Sequence, residues 1–276
     1  YKRQRLNELL ARLDESLARE KRFSADVAHE LRTPLAGLET ALEVCGSRYR
    51  DPDAYRDVIG KCLKVTQGMH LMVNNLLTLA RADSCSMDVH AEPTDIRGLL
   101  MECWQPFAER ANQRDLKIEW MIGSAVPAWI DGEKLRLILT NLFKNAVSYS
   151  NPSGWIRVTE RPDEVCSITV SNTGCDLTSE SVPHVFERFW RGDKSRSDTG
   201  VHCGLGLALC RRMAEVLGGT IVAQVSEGVF SVTLCIPAQM APSAPTVRCS
   251  APCTEPHSCT QNQRSGTGAR ASRFWS

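Results

Sequence analysis

Phe23-Ser24-Ala25-Asp26-Val27-Ala28-His29-Glu30-Leu31-Arg32-Thr33-Pro34-Leu35 is the stretch on which the reading of the chain turns. Val27, Leu31 and Leu35, continued by Leu38 and Leu42, fall within about 80° of one another on a helix that turns about 100° per residue. His29 lies roughly 160° from the middle of that arc, and Thr33 sits beside it one turn on. The ring is therefore read as projecting to solvent from the face opposite the apolar stripe. An imidazole in water is largely uncharged and nucleophilic near neutral pH. The carboxylate of Glu30 next to it can accept a proton from one ring nitrogen and raise the nucleophilicity of the other. Pro34 costs about 3 kcal/mol inside an ordinary helix and bends it, either for function or as a tolerated kink.

Outward from this stretch, residues 3–46 read as one long helix. Leu6, Leu10, Leu13 and Leu17 carry the same 3–4 spacing upstream of His29. Gly46 and Asp51-Pro52 mark a turn. A second helix follows, with Tyr55, Ile59, Cys62, Thr66, Met69, Val73, Leu76 and Ala80 as its stripe. Two such stripes form an antiparallel hairpin whose seam is half covered, and a homodimer that closes a four-helix bundle is the expected remedy.

Beyond about residue 88 the pattern becomes mixed. Pro93-Thr94-Asp95 caps a helix near 95–113, Leu116–Trp120 alternates as a strand, and Asp131 is placed to N-cap a helix near 132–148. Trp155–Val158 and Val165–Val170 read as strands joined through Arg161-Pro162-Asp163. A helix near 205–217 stops at Gly218-Gly219, and Thr220–Val225 with Val229–Ile236 forms a hairpin. The expected fold class is α+β: a helical hairpin followed by an α/β sandwich with helices on one face of a mixed sheet. The expected boundaries are 1–20 for an incoming helix, 21–87 for the hairpin, 88–238 for the sandwich and 239–276 for a disordered tail.

Composition limits the alternatives. With 42% hydrophobic and 24% charged residues and a formal net charge of +1, nothing in the balance points to nucleic acid or an anionic membrane. No apolar run approaches the roughly 18 residues of a membrane span. The first residue is Tyr1, which is read as the start of a piece of a longer protein. Most of the twelve cysteines lie singly inside apolar patterns, as thiols do in a reducing compartment. Cys249, Cys253, His257 and Cys259 have the ligand types of a zinc site, against the plainer reading of a tail that contains thiols.

No G-x-x-x-x-G-K-[ST] string is present, so a P-loop is excluded. Four separated pieces offer nucleotide chemistry instead. Asn141 and Asn145 are i, i+4 on one helix, and amide oxygens suit Mg²⁺ as minor ligands beside phosphates. Ser171-Asn172-Thr173-Gly174 follows a strand, and Phe186-Glu187-Arg188-Phe189 carries two aromatics. Gly204-Leu205-Gly206-Leu207 opens a helix, where free N–H groups and the dipole favour a phosphate chain. Each piece alone has an ordinary structural reading; their order and spacing after the His29 stretch point to one site.

The His29 stretch closely resembles the phosphoacceptor box of sensor histidine kinases, and residues 139–149 resemble the N box of those kinases and of the wider GHKL ATPases. The resemblance spans roughly residues 20–238. It implies that His29 takes the phosphate of ATP, that Glu30 assists, and that Glu30 and Thr33 position water for dephosphorylating a response regulator. It assigns Asn145 to Mg²⁺. Asn141 and Tyr149 of the N box, Asn172 and Gly174 of the G1 box, Phe186 with Phe189 of the F box, and Gly204, Leu205 and Gly206 of the G2 box fall to the nucleotide. It further implies a homodimer, a response-regulator receiver domain as partner, and a cytoplasmic portion of an inner- or plasma-membrane protein tied to the bilayer only through upstream sequence. Two departures stand out. Asn172 occupies a position that is usually Asp, and Val201-His202-Cys203 replaces glycines expected before the G2 core, which implies a stiffer hinge. They keep open a rival reading, a catalytically impaired nucleotide-binding scaffold or a response-regulator phosphatase. A strand-passage or chaperone ATPase and a pure dimerisation module are weaker rivals, because neither accounts for both halves.

Overall fold

The computed structural model describes residues 2–84, 87–123, 128–162, 165–192 and 203–237. Helix α1 runs Lys2–Gly46 and helix α2 Pro52–Asp83, joined by the expected turn. Asp51 N-caps α2 by accepting from the Ala54 N–H at 2.8 Å, with Pro52 at the first helical position where its missing N–H costs nothing. Pro34 sits inside α1 without ending it. Among the described residues no helix is long and apolar enough to cross a membrane.

The apolar stripe of α1 keeps its predicted face, but half of it is open: Val27, Leu31 and Leu38 are partly buried, whereas Leu35 is 48% and Leu42 57% exposed. On α2 the predicted stripe is half covered, with Tyr55, Cys62, Met69 and Leu76 partly buried, and the fully buried residues lie beside it. Thr66, Val73 and Ala80 are exposed, and Met72, Leu79 and Ala82 are buried instead. The reason is tertiary: Met72, Leu79 and Ala82 join the core of the following domain, and α2 packs on its last helix. Ile59, Leu63 and Leu77 remain exposed on α2.

The second half contains strand β1 (Glu92–Thr94), helix α3 (Ile96–Gln113), strands β2 (Lys117–Met121) and β3 (Ala128–Ile130), helix α4 (Gly132–Tyr149), strands β4 (Trp155–Pro162) and β5 (Val165–Thr173), helix α5 (Gly206–Val216), and strands β6 (Thr220–Ser226) and β7 (Val229–Pro237). Five strands form a mixed sheet in the order β2-β4-β5-β7-β6, with β2 parallel to β4 and the other pairs antiparallel. Strand β4 extends into the expected turn, through Arg161 and Pro162, and pairs Pro162 with Cys166. The small β1–β3 sheet was not foreseen, because two three-residue strands carry too little periodicity to detect.

Alternation sorts the sheet faces. Ile156 and Val158, Cys166, Ile168 and Val170, and Phe230, Val232, Leu234 and Ile236 point into the core against the helices. On the other face, hydroxyls pair across β5 and β7: Thr169 with Thr233 at 2.9 Å and Ser171 with Ser231 at 2.8 Å. Trp104, Trp120 and Phe143 meet edge-on, with ring centroids 5.5–6.1 Å apart. Cys103, Cys166 and Cys210 are buried free thiols, used as small apolar groups. The Cys249–Cys259 cluster and the rest of the tail lie outside the described residues.

Helix α4 is held at both ends. The buried Asp131 carboxylate accepts from the Lys134 N–H at 3.1 Å, from the Lys134 ammonium at 2.6 Å and from the His90 N–H at 3.0 Å. At the other end the Arg114 guanidinium donates to the carbonyls of Val147, Ser148 (3.0 Å) and Ser150 (2.6 Å), where a cation also meets the negative end of the helix dipole. Burial alone would push the Asp131 carboxyl up, but its hydrogen bonds with Lys134 and His90 hold it below its ordinary 3.8. A carboxyl with a depressed folded pKa contributes stability that is complete above about pH 4 and disappears as pH falls through the folded value. Asp131→Ala should therefore lower stability by about 2–4 kcal/mol at pH 7. The gap to the parent chain should shrink below pH 4 in urea unfolding.

Candidate nucleotide site

One side of α4 belongs to the core: Leu135, Ile138, Leu139, Leu142, Phe143, Ala146 and Val147 are buried. The opposite side, Asn141, Lys144, Asn145, Ser148 and Tyr149, lines a cavity of about 660 Å³. Two loops and the start of α5 complete the wall, so that Asn172, Gly174, Gly204, Leu205 and Gly206 face the same space.

Each residue arrives there by a local rule. Asn172 continues the inward row of β5, in register with Ile156 and Phe230, and is 3% exposed. Its Nδ2 donates to the Thr173 carbonyl at 3.1 Å, so the amide oxygen is its remaining polar atom. Gly174 has φ +87°, and a Cβ there would lie 2.4 Å from the Asn151 nitrogen. Gly204 has φ +67°, and a Cβ there would meet the Phe189 and Trp190 backbone at 2.7 Å. The Phe189 N–H donates to the Gly204 carbonyl at 3.0 Å, which pins the aromatic loop to the start of α5. Asn141 donates through Nδ2 to the Leu137 carbonyl at 2.8 Å.

Phe186 does not line the cavity. It packs, half-buried, on the core, and the neighbouring Val185 takes the place at the wall. Phe189 also turns elsewhere, with its ring 6.1 Å from that of Phe23 on α1. An F-x-x-F pair fixes only that two rings are near one loop, not which side faces a ligand. Val201 and His202 of the altered hinge lie outside the described residues; Cys203 is described and lines the cavity.

Sequence reasoning missed several lining residues. Gly68, Leu71 and Asn75 come from α2, so the hairpin supplies part of the wall. Lys144 and Ser148 were passed over as ordinary helix positions between the two asparagines and Tyr149; their i, i+4 spacing on the Asn141–Asn145 side was the available signal. The Ser148 Oγ is buried with no hydrogen-bond partner, an orphan that a ligand donor or acceptor would satisfy. Burial lowers the Lys144 ammonium below 10.5, and Arg110 pushes the same way. Burial raises the Cys203 thiol, the Leu205 N–H and Lys144 oppose it, and Glu30 adds to the rise. Glu30 of α1 is therefore close enough to act electrically on the residue that precedes Gly204.

His29 is exposed, and Thr33 donates its hydroxyl back to the His29 carbonyl at 3.3 Å. The α1 segment upstream of it rests on the sandwich through Phe23, which also carries the Arg188 guanidinium over its ring at 4.9 Å. Asp83 at the end of α2 receives Arg188 at 2.5 Å and Arg212 at 3.1 Å, and Arg212 also donates to the Ala82 carbonyl at 2.5 Å.

A buried amide at a strand end, a glycine cradle opening a helix and paired amides on a facing helix define a nucleotide-binding α/β sandwich joined to a helical hairpin with an exposed histidine. Comparison with known proteins agrees. Residues 19–85 match the His Kinase A (phospho-acceptor) domain, and residues 130–240 match the Histidine kinase-, DNA gyrase B-, and HSP90-like ATPase family. The sensor histidine kinase CusS of Escherichia coli O157:H7 is 30% identical over 216 residues, covering 78% of this chain and 45% of that protein. The solved structure of the Acinetobacter baumannii histidine kinase AdeS shares the fold, with TM-score 0.63 and 21% identity over 77% of this chain and 98% of that one. So does the histidine kinase ThkA in complex with the response regulator protein TrrA, with TM-score 0.65 and 20% identity over 79% of this chain and 61% of that one. The chain belongs to the sensor histidine kinases of two-component systems, and it spans about half the length of the curated relatives it matches.

The Asp83 clasp is open to test. All three side chains are about a quarter to two-fifths exposed, so solvent screening limits its value to about 1 kcal/mol. Asp83→Ala should speed amide hydrogen exchange in the last turn of α2 and the first turn of α5 by about fivefold. Unchanged exchange there would mean that the carboxylate does not hold the hairpin to the sandwich.

Proposed function

We propose that this chain is an ATP-dependent protein-histidine autokinase that phosphorylates His29 and passes the phosphoryl group to an aspartate of a response-regulator receiver domain. The observation that carries the reading is the gathering of three separated sequence pieces, at Asn141–Tyr149, Asn172–Gly174 and Gly204–Leu207, around one cavity, beside a helix that holds an exposed imidazole next to a carboxylate.

The residues fit ATP as substrate. The Asn172 amide oxygen accepts from the adenine amino group, and Gly174 lets the backbone come close to the base. The backbone N–H groups at Gly204–Leu207 face the phosphate chain at the start of α5. Asn145 would hold Mg²⁺, with Asn141 beside it, and the ion would offset charge on the phosphates. One ring nitrogen of His29 forms a bond to the γ-phosphorus as the bond to the bridging oxygen breaks, and ADP leaves. Glu30 takes up the proton held on the other ring nitrogen, which keeps the attacking lone pair available. Phosphotransfer to a receiver aspartate then returns the imidazole, and Glu30 with Thr33 positions water for the reverse traffic, dephosphorylation of that regulator. The relative ThkA was solved with a response regulator protein, which supports the same class of partner here.

The open apolar faces of α1 and α2, with Leu35, Leu42, Ile59 and Leu63 exposed, support a homodimer that closes a four-helix bundle. Membership of a family of sensor proteins supports a cytoplasmic position for this portion, beneath a membrane segment upstream. The impaired-scaffold reading rests on Asn172 and on Val201-His202-Cys203, and the amide oxygen left available at Asn172 argues against the first of these.

Two experiments bear on this. With γ-labelled ATP the parent chain should acquire acid-labile, base-stable label, and His29→Gln should reduce it to background; equal label in both would end the kinase reading. Light scattering should give twice the chain mass of 30.6 kDa at micromolar concentration. Ile59→Glu combined with Leu63→Glu should shift that mass to the monomer.

A further inference from the structure

Among the described residues two cations line the nucleotide cavity, Lys144 and Arg191. Lys144 stands out because it has no carboxylate partner. The charged side chain that faces it from α3 is a like charge, Arg110, and its other neighbour is the Cys203 thiol. A half-buried ammonium without an anion is an unfavourable arrangement unless an anion arrives. One turn along α4, Ser148 presents the second unmet group, a buried hydroxyl without a partner, on the same wall. A cation and a hydroxyl at i, i+4 form a pair suited to phosphate oxygens.

Position along the cavity decides which phosphate. Asn141, one turn before Lys144 on α4, stands against Gly206 of the cradle, where a Cβ would lie 3.0 Å from the Asn141 amide oxygen. The other end of α4 runs to the loop after β5, where the Asn151 N–H donates to the Thr173 carbonyl at 3.4 Å. The cradle is pinned through Gly204 to Phe189, whose ring meets Phe23 of α1. Lys144 therefore lies toward the cradle end of α4, the end tied to the helix that carries His29. We propose that Lys144 is the cation that holds the terminal phosphate of the bound nucleotide, with Ser148 beside it, and so sets the preference for ATP over ADP. The assignment rests on the kinase reading above, since it needs a nucleotide with its adenine at Asn172.

The test is isothermal titration of the full chain with ATP, ADP and adenosine in magnesium buffer. Lys144→Met keeps the length and apolar stem of the side chain and removes the charge. It should weaken ATP binding by about tenfold or more and ADP binding by no more than about threefold, with adenosine unchanged. Lys144→Arg should restore ATP binding to within about threefold of the parent. Unchanged adenosine binding also shows that the variant is folded around an intact base site. ATP affinity unaffected by Lys144→Met, or an equal loss for all three ligands, would overturn the assignment while leaving the kinase reading in place. A parent chain that binds none of the three would overturn the kinase reading itself, and the lysine assignment with it.

Discussion

The position of α4 is the constraint on which the rest of the structure depends. One side of this helix carries seven buried residues of the sandwich core, and the other lines the cavity with amides, a hydroxyl and an ammonium. A helix used on both sides has little freedom to rotate: a turn of one residue, about 100°, would bring Asn145 into the core and Phe143 into the cavity. The Asp131 hydrogen bonds at its start and the Arg114 guanidinium at its end fix both rotation and axial position. Preorganisation of the polar groups thus costs nothing further when a ligand enters.

The opposite wall follows a different logic. Asn172 owes its place to strand alternation, because the row Cys166, Ile168, Val170 runs inward and the next member must also point in. At the end of the strand the apolar requirement lapses and a buried amide faces the cavity. The glycine positions are set by backbone approach. Phe189 is itself held at φ +63°, and its carbonyl carbon would lie against any Cβ at position 204. A strained aromatic loop and a glycine that leaves room for it are two halves of one close contact, so neither position is free to vary alone.

Much of this was legible in the sequence, and the exceptions share a cause. The helices, the β4–β5 and β6–β7 pairs and the exposed position of His29 follow from periodicity, which is a local property. The assembly of Asn141, Asn145, Asn172 and the two glycine loops around one cavity is not local in that sense; it was legible only through the resemblance of several short motifs to one family. The fully buried residues of α2 were missed because Met72, Leu79 and Ala82 pack on a domain that begins after the helix ends, and no local pattern encodes a distant partner. Phe186 was assigned to the site by resemblance to the F box, and a spaced aromatic pair does not fix which side its rings face. The Asp83 contacts with Arg188 and Arg212 join residues more than a hundred positions apart, beyond the reach of any window.

These distant contacts bear on how the two halves cooperate. His29 stands in solvent while the cavity is bounded partly by Gly68, Leu71 and Asn75 of the hairpin. A ligand in this cavity would therefore touch the same helix pair that carries His29, and its binding would be coupled to the packing of hairpin on sandwich. On the α2 side this packing is held by the buried Met72, Leu79 and Ala82 and by the ion pairs of Asp83 with Arg188 and Arg212. On the α1 side it is held by Leu31, partly buried against the core, by the Phe23–Phe189 ring pair and by the Arg188 guanidinium over Phe23. The two ring contacts contribute about 1 kcal/mol each, so the α1 side yields more readily than α2 or the α4 core. Rigidity is concentrated around the cavity and along α2, and compliance along the stretch of α1 that carries the exposed imidazole.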